Sequence, residues 1–323
     1  MSFDLVLLRT EGKPETYICE GWPEDLKAEI PGITVHFARS PEEARPHLTQ
    51  ADAAFGWIDA DLFPLAGHLR WLACPQVGPH PSYFHEALVN SDVVVTNVRG
   101  IFNDHISAHI MAYVLAFARG LHVYRERQLR REWRPDYETV HLPEATAVIV
   151  GLGGIGVETA RVCVAFGMTV IGVDPRIEEP PPGVAELYRP DAMTAAVARG
   201  DFVIVTVPQT PATEGLFDAA LFRAMKPTAF FINIGRGATT DLADLDAALR
   251  SGVIAGAGLD VYEQEPLPQD HPLWSAPGAL LTPHVAAIGP YLDDRRREVF
   301  FENCRRFAAG RPLMNVVDKP NWF

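Results

Sequence analysis

Residues 146–176 read TAVIVGLGGIGVETARVCVAFGMTVIGVDPR, and this segment restricts the fold more than any other. An apolar run, Ala147–Val150, meets the glycine series Gly151-x-Gly153-x-x-Gly156. A helical pattern through Val157, Ala160, Val164 and Phe166 follows, and a second apolar run ends at Asp174, 18 residues beyond Gly156. A bare glycine spacing is weak evidence, but strand, turn, helix, strand and acid in this order describe a β-α-β unit built around a dinucleotide. Gly151 permits the tight turn, Gly153 lets backbone approach a pyrophosphate at the helix N-terminus, and Gly156 lets helix and strand pack closely. Asp174 is expected to accept hydrogen bonds from ribose hydroxyls and to repel a 2′-phosphate, which favours NAD over NADP. Arg176 is a counter-signal, because a guanidinium can pair with that phosphate.

The same rhythm recurs on both sides of this unit. Short apolar runs at 5–8, 33–37, 53–57, 71–73 and 93–97 form a first series. A second series lies at 148–150, 169–173, 202–207, 229–234, 256–260 and 279–281. Between them runs a long amphipathic stretch from about Asn103 to Arg134. A helical pattern closes the chain at Tyr291–Ala309, with Pro290 suited to its first turn. Alternating strands and helices imply α/β architecture with parallel sheets, and 323 residues suit two domains.

Bulk properties remove several classes of function. A net charge of −13 disfavours nucleic acid and anionic membranes as partners. The arginine cluster at 125–134, RERQLRREWR, carries two glutamates and reads as a solvated helix face. No apolar segment reaches the length needed to span a bilayer, and the start, MSFDLVLLRT, lacks the basic residues and apolar length of a signal peptide. Cys19, Cys74, Cys163 and Cys304 have no zinc-type spacing and read as reduced thiols of a cytoplasmic protein. No metal site is expected.

Four later segments follow the glycine turn in a fixed order: VPQTPATEGLF (207–217), NIGRG (233–237), GLDVYEQEPLP (258–268) and TPHVAA (282–287). Together they resemble the D-isomer-specific 2-hydroxyacid dehydrogenase family, which includes glyoxylate/hydroxypyruvate reductases and phosphoglycerate dehydrogenases. The resemblance is strong from about Gly100 onward and weak over the first 98 residues. It implies two Rossmann-like parallel-sheet domains. A flavodoxin-like substrate domain (1–98 and 289–323) holds an inserted NAD-binding Rossmann domain (99–288), with hinges near 98–103 and 285–290 and the active site in the cleft. It also implies catalytic roles for Arg236, Glu265 and His284. A planar guanidinium can hold the carboxylate and carbonyl of a 2-oxo acid. Histidine can give and reclaim a proton near neutral pH, and a carboxylate beside it raises its pKa and fixes the ring.

Cofactor positions carried over from the family are the backbone around Gly154 and Ile155 at the pyrophosphate, Pro208 to Thr213 on the adenine and ribose side, Ile234 and Arg236 near the nicotinamide, and Asp260 at its carboxamide. The resemblance further implies a homodimer built through 103–145. The loop CPQVGPHPSYFHEAL (74–88) departs from the family: Val77 and Gly78 still offer backbone amides to a substrate carboxylate, but Pro79 and Pro81 cannot, and His80, Tyr83 and His85 are additions. His109 stands where the family often has glutamate. The expected reaction is interconversion of a small 2-oxo acid and its D-2-hydroxy acid. Formate oxidation on the same fold is disfavoured by Glu265, because that branch pairs its histidine with glutamine. An NAD(H)-sensing corepressor-like protein is the alternative from another class.

Overall fold

The computed structural model describes residues 2–321, and this part of the chain divides into two compact units. One comprises the residues up to Ile101 together with those from Gly289 onward; the other runs from Phe102 to Ile288. Met1, Trp322 and Phe323, which fall in the ranges assigned above to the outer domain, lie outside the described residues.

The first unit is built on strands β1 (Phe3–Leu8), β2 (Ile33–Ala38), β3 (Ala53–Phe55), β4 (Trp71–Ala73) and β5 (Val94–Thr96). Helices α1 (Trp22–Glu29), α2 (Pro41–Leu48) and α3 (Glu86–Val89) lie between them. All the pairings are parallel and the order is β2-β1-β3-β4-β5, the flavodoxin-like arrangement. The apolar runs are continuous because both faces are covered. Leu5 and Leu7 enter one core with Phe55 and Trp71, while Val6 and Leu8 enter the other with Ala54, Leu72 and Val95.

The second unit opens with α4 (Asn103–Ala118) and α5 (Leu121–Arg130). Its strands are β6 (Thr146–Val150), β7 (Thr169–Val173), β8 (Glu186–Tyr188), β9 (Phe202–Val205), β10 (Phe230–Asn233), β11 (Gly256–Leu259) and β12 (Ala279–Leu281). Helices α6 (Gly154–Ala165), α7 (Met193–Val197), α8 (Ala219–Ala224) and α9 (Leu242–Arg250) connect them. The order β12-β11-β10-β9-β6-β7-β8 is parallel throughout, and its direction of winding reverses between β6 and β9. In such sheets ligands bind outside the carboxyl ends of the strands at that switch point. Period-two alternation again feeds two cores: Val148 and Val150 pack with Val203 and Val205, Ala147 and Ile149 with Val170 and Ile204.

Three details differ from the sequence reading. The stretch 103–134 is two helices, because the chain turns left-handed at Gly120 (φ +68) and again at Arg131 (φ +55). The strand β8 was not anticipated; Glu186, Leu187 and Tyr188 are half-buried at a sheet edge and show no apolar run. Pro290 is not in a first helical turn. Tyr291 adopts φ +66 between it and the last helix, α10 (Leu292–Ala308), so the right-handed spiral begins only at Leu292.

That last helix belongs to the first unit. Phe300 stacks on Trp22 at 5.2 Å and meets Phe55 at 4.8 Å, and Phe301 is fully buried. The segment after it lies along β5: the Val317 amide donates to the Val95 carbonyl at 2.8 Å. The Lys319 ammonium donates to the carbonyls of Leu88, Ser91 and Val93. Among the described residues no single helix is long and apolar enough to cross a membrane.

Candidate active site

Every strand of the second sheet runs in one direction, so every loop that follows a strand's carboxyl end leaves the same edge. Gly151 follows β6, Asp174 follows β7, Pro208 lies beyond β9, Arg236 beyond β10, Asp260 and Glu265 beyond β11, and His284 beyond β12.

The glycine turn is shaped by what side chains would strike. Gly151 sits at φ +98, where an L side chain is strained, and a Cβ on Gly156 would collide with the Gly151 carbonyl oxygen. Gly153 faces open space, and α6 starts with no side-chain cap, leaving its first amides to a ligand. A Cβ on Gly154 would approach the Asn103 amide to 2.8 Å, and Ile155 packs partly buried on the helix-side core. The uncapped helix end and the glycine floor fit a dinucleotide pyrophosphate. Thr206 Oγ1 donates to the Gly151 carbonyl at 2.7 Å and joins the loops of β6 and β9. Thr213 Oγ1 donates to the Pro208 carbonyl at 2.7 Å and accepts from the Thr210 amide at 2.8 Å, so the 208–213 loop closes on itself.

Asp174 lies at the end of β7, 2% exposed. Its carboxylate accepts from the amides of Leu152 (2.8 Å), Arg176 (2.8 Å) and Ile177 (3.2 Å). Three of about four acceptor positions are thus used by backbone, and the fourth could accept from one further donor. Arg176 is exposed beside it.

Arg236 extends from a loop organised by Asn233, which is buried in the floor. The Asn233 side-chain amide donates to the Arg236 carbonyl at 3.2 Å and to the hydroxyls of Thr239 and Thr240, and its oxygen accepts from the Gly235 amide at 2.9 Å. A Cβ on Gly237 would collide with the Tyr262 carbonyl, so this glycine lets the Arg236 loop lie directly against the Glu265 loop. Ile234 is buried below. Desolvation lowers the Arg236 pKa and the charge of Glu265 partly restores it.

Glu265 Oε2 accepts from His284 Nδ1 at 2.7 Å, and Oε1 accepts from the Tyr262 amide at 3.0 Å. Burial acts to raise the Glu265 pKa; the His284 and Tyr262 hydrogen bonds and the nearby charges outweigh it and hold the carboxyl below its ordinary value. An ionised carboxylate only accepts, so Nδ1 carries the proton and Nε2 is the ring atom left for a substrate. The His284 side chain is 45% exposed. Its backbone is left-handed, φ +53, unusual for a residue other than glycine.

Asp260 is 1% exposed. Its Oδ1 accepts from Thr282 Oγ1 at 2.5 Å and from the Val285 amide at 2.8 Å, and its Oδ2 from the Ala286 amide at 2.8 Å. It grips the turn on both sides of His284. Tyr262 adds a hydrogen bond from its hydroxyl to the Thr282 carbonyl at 3.0 Å. Asn233, Gly237, Tyr262 and Thr282 were not singled out in the sequence; their signal was their place inside or beside NIGRG, GLDVYEQEPLP and TPHVAA.

Val77 and Gly78 lie in the first unit beyond β4, half-buried. The Asn97 side-chain amide donates to the Val77 carbonyl at 2.9 Å, and Arg296 Nε donates to the Pro75 carbonyl at 3.0 Å. Tyr83 is fully buried, with its hydroxyl on the Gly56 carbonyl at 3.2 Å, and His85 caps α3; both shape the loop from inside.

A parallel sheet with an uncapped glycine turn at its switch point, and an arginine and a glutamate–histidine pair on the same edge, defines a nicotinamide-dependent oxidoreductase. Residues 111–286 match the family described as D-isomer specific 2-hydroxyacid dehydrogenase, NAD binding domain. A glyoxylate reductase of Thermofilum pendens is 30% identical over 95% of this chain and 95% of its own. A D-isomer specific 2-hydroxyacid dehydrogenase from Xanthobacter autotrophicus, solved with NADPH and MES, superposes with a TM-score of 0.86 at 29% identity over the whole of both chains. An NADPH-dependent glyoxylate/hydroxypyruvate reductase from Sinorhizobium meliloti, solved with NADP and sulfate, gives 0.82 at 31% identity over the whole of both. The chain belongs to the D-isomer-specific 2-hydroxyacid dehydrogenase family and is an oxidoreductase of that class.

Proposed function

We propose that this protein interconverts a small 2-oxo acid and its D-2-hydroxy acid with Arg236, Glu265 and His284 as its catalytic residues. The 2.7 Å contact between Glu265 Oε2 and His284 Nδ1, on the sheet edge that also carries Arg236, is the observation that supports this most. Arg236 binds the substrate carboxylate and polarises the adjacent carbonyl through its planar fork. His284 donates a proton from Nε2 to the carbonyl oxygen in reduction and takes it back in oxidation. Glu265 holds the ring orientation and stabilises the charged imidazolium. A reduced nicotinamide, when bound, supplies the hydride.

Asp174 favours NADH, since a carboxylate at this place repels a 2′-phosphate. Two observations support NADPH as the competing reading: Asp174 is largely occupied by backbone amides, and two similar structures carry NADPH or NADP. The decisive experiment follows reduced-nicotinamide absorbance with NADH and NADPH in parallel against glyoxylate, hydroxypyruvate, pyruvate, 2-oxoglutarate and an aryl pyruvate. Turnover of one acid establishes the reaction and the cofactor; dinucleotide binding without turnover of any acid favours the sensing reading.

The 103–145 stretch is proposed to form a homodimer contact. Leu121, Leu129 and Trp133 on it are 57%, 69% and 97% exposed and are apolar side chains that a second copy would cover. Sedimentation of the parent and of Trp133→Ser tests it. All four cysteines are buried and unbridged, which supports a reducing, cytoplasmic setting.

A further inference from the structure

The turn that carries His284 has a second layer of support, and it reaches a helix that none of the motifs include. Thr282 Oγ1 has one proton, and its 2.5 Å contact with the Asp260 carboxylate assigns that proton to Asp260. The Thr282 oxygen can therefore only accept from its other neighbours, and of these the Tyr113 hydroxyl has its single proton shared with the Leu259 carbonyl. His109 Nε2, on α4, lies 3.0 Å from it, and the Tyr113 hydroxyl, one helical turn further on, lies 2.6 Å away. That hydroxyl is also 2.9 Å from the Leu259 carbonyl. His109 Nε2 must then carry a proton and donate. It also stands 3.8 Å from Asp260 Oδ1, and its ring meets Tyr113 edge-on at 5.0 Å.

We propose that His109 and Thr282 are positioning residues. With Asp260 they form a brace between α4 and the 282–286 turn that holds His284 in its left-handed conformation, ring against Glu265. The inference rests on the reading of His284 given above. The geometry carries it because the strain and the restraint coincide. His284 has a positive φ, and the residues fixing Asp260 to the turn, Thr282, Val285 and Ala286, bracket it. Within the turn itself His284 is tied by the bond from its own amide to the Thr282 carbonyl at 3.1 Å. Thr282 thus contributes its carbonyl to the turn and its hydroxyl to the brace. Neither His109 nor Thr282 touches a reacting atom in this account; both act through the backbone of His284.

The test uses the intact protein. Thr282→Val keeps the shape and removes the hydroxyl; Thr282→Ser restores it. His109→Leu removes the donor; His109→Gln restores one. The brace predicts that Thr282→Val lowers kcat by about tenfold or more while the NADH dissociation constant, read by fluorescence, moves less than about threefold. Thr282→Ser returns kcat to within about threefold, and His109→Leu and His109→Gln repeat the pattern with smaller amplitude. A readout without turnover is the His284 imidazole resonance, identified by its loss in His284→Ala. It should shift in Thr282→Val and return in Thr282→Ser. Unchanged kcat and an unshifted resonance in Thr282→Val overturn the brace, as does a loss of NADH binding as large as the loss of kcat. If Thr282→Val does not fold, the His109 pair decides by the same criteria. His284→Ala with parental turnover overturns the role of His284 itself. His284→Ala inactive beside parental Thr282→Val and His109→Leu overturns the brace alone.

Discussion

Two turns leave the same edge of the second sheet and are built on opposite principles. The turn after β6 works by subtraction: at Gly151 a side chain would strain the backbone, at Gly156 it would strike a carbonyl, and at Gly153 it would occupy space that is open. The turn after β12 works by addition: His284 is forced into a conformation glycine would adopt freely, and side chains from elsewhere hold it. A binding turn needs room, and a proton-transferring turn needs a side chain of one kind in one orientation. A glycine at 284 would relax the backbone and remove the chemistry.

The largest effect that separates the two turns is expected from His284→Ala. Turnover should fall by about 10²-fold or more while NADH binding is kept, as for loss of a general acid. Parental turnover would remove the contrast. At the other turn, Gly156→Ala should weaken folding by about 1–3 kcal/mol and NADH binding with it, because its Cβ collides with the Gly151 carbonyl oxygen. Thermal melting and dinucleotide titration read both, and an unchanged melting temperature would contradict the collision. On the reading that Asp174 selects the cofactor, Asp174→Ala should move the ratio of NADH to NADPH efficiency toward NADPH by about tenfold, the worth of one hydrogen bond to a charged group. Paired kcat/KM values for the two cofactors measure it, and an unmoved ratio would assign selection to Arg176.

The smallest effect concerns acid. Glu265 has its folded-state pKa depressed, so the stability from its pair with His284 is fully present above the unfolded glutamate value of about 4.3. It is lost as pH falls through the lower, folded-state value. The parent should therefore lose stability below about pH 4 more steeply than Glu265→Gln, whose residue 265 does not titrate. Parallel melting curves of both proteins across that range would refute this if they stay parallel.

The sequence shows the glycine turn plainly because its parts lie within 31 residues and each is a residue type with a mechanical reason. Parallel strands were readable for a related cause: both faces are buried, so runs such as FVIV at 202–205 are apolar without interruption. β8 was not readable, since an edge strand of Glu186, Leu187 and Tyr188 needs no such run. The break at Gly120 was hidden by the apolar pattern continuing around it. Around His284 the residue types were visible through the ordered motifs, but their supports were not. His109 meets Thr282 across 173 residues, and Asp260 meets Val285 across 25. Spacing along a chain carries no trace of contacts made by folding it.

The three carbonyls that receive Lys319 lie in α3 and in the loop that leads into β5, and Val317 pairs with β5 itself, an edge of the sheet whose first strand is Phe3–Leu8. During synthesis, residues 3–101 leave the ribosome long before the helix and strap that complete their core. The 102–288 unit, made of consecutive residues, has everything it needs first. The ordinary vectorial order, in which the N-terminal domain is complete first, is therefore inverted in the connectivity of this chain: the unit that starts first is finished last. Until then the early sheet lacks the cover that Phe300, Phe301 and Lys319 supply.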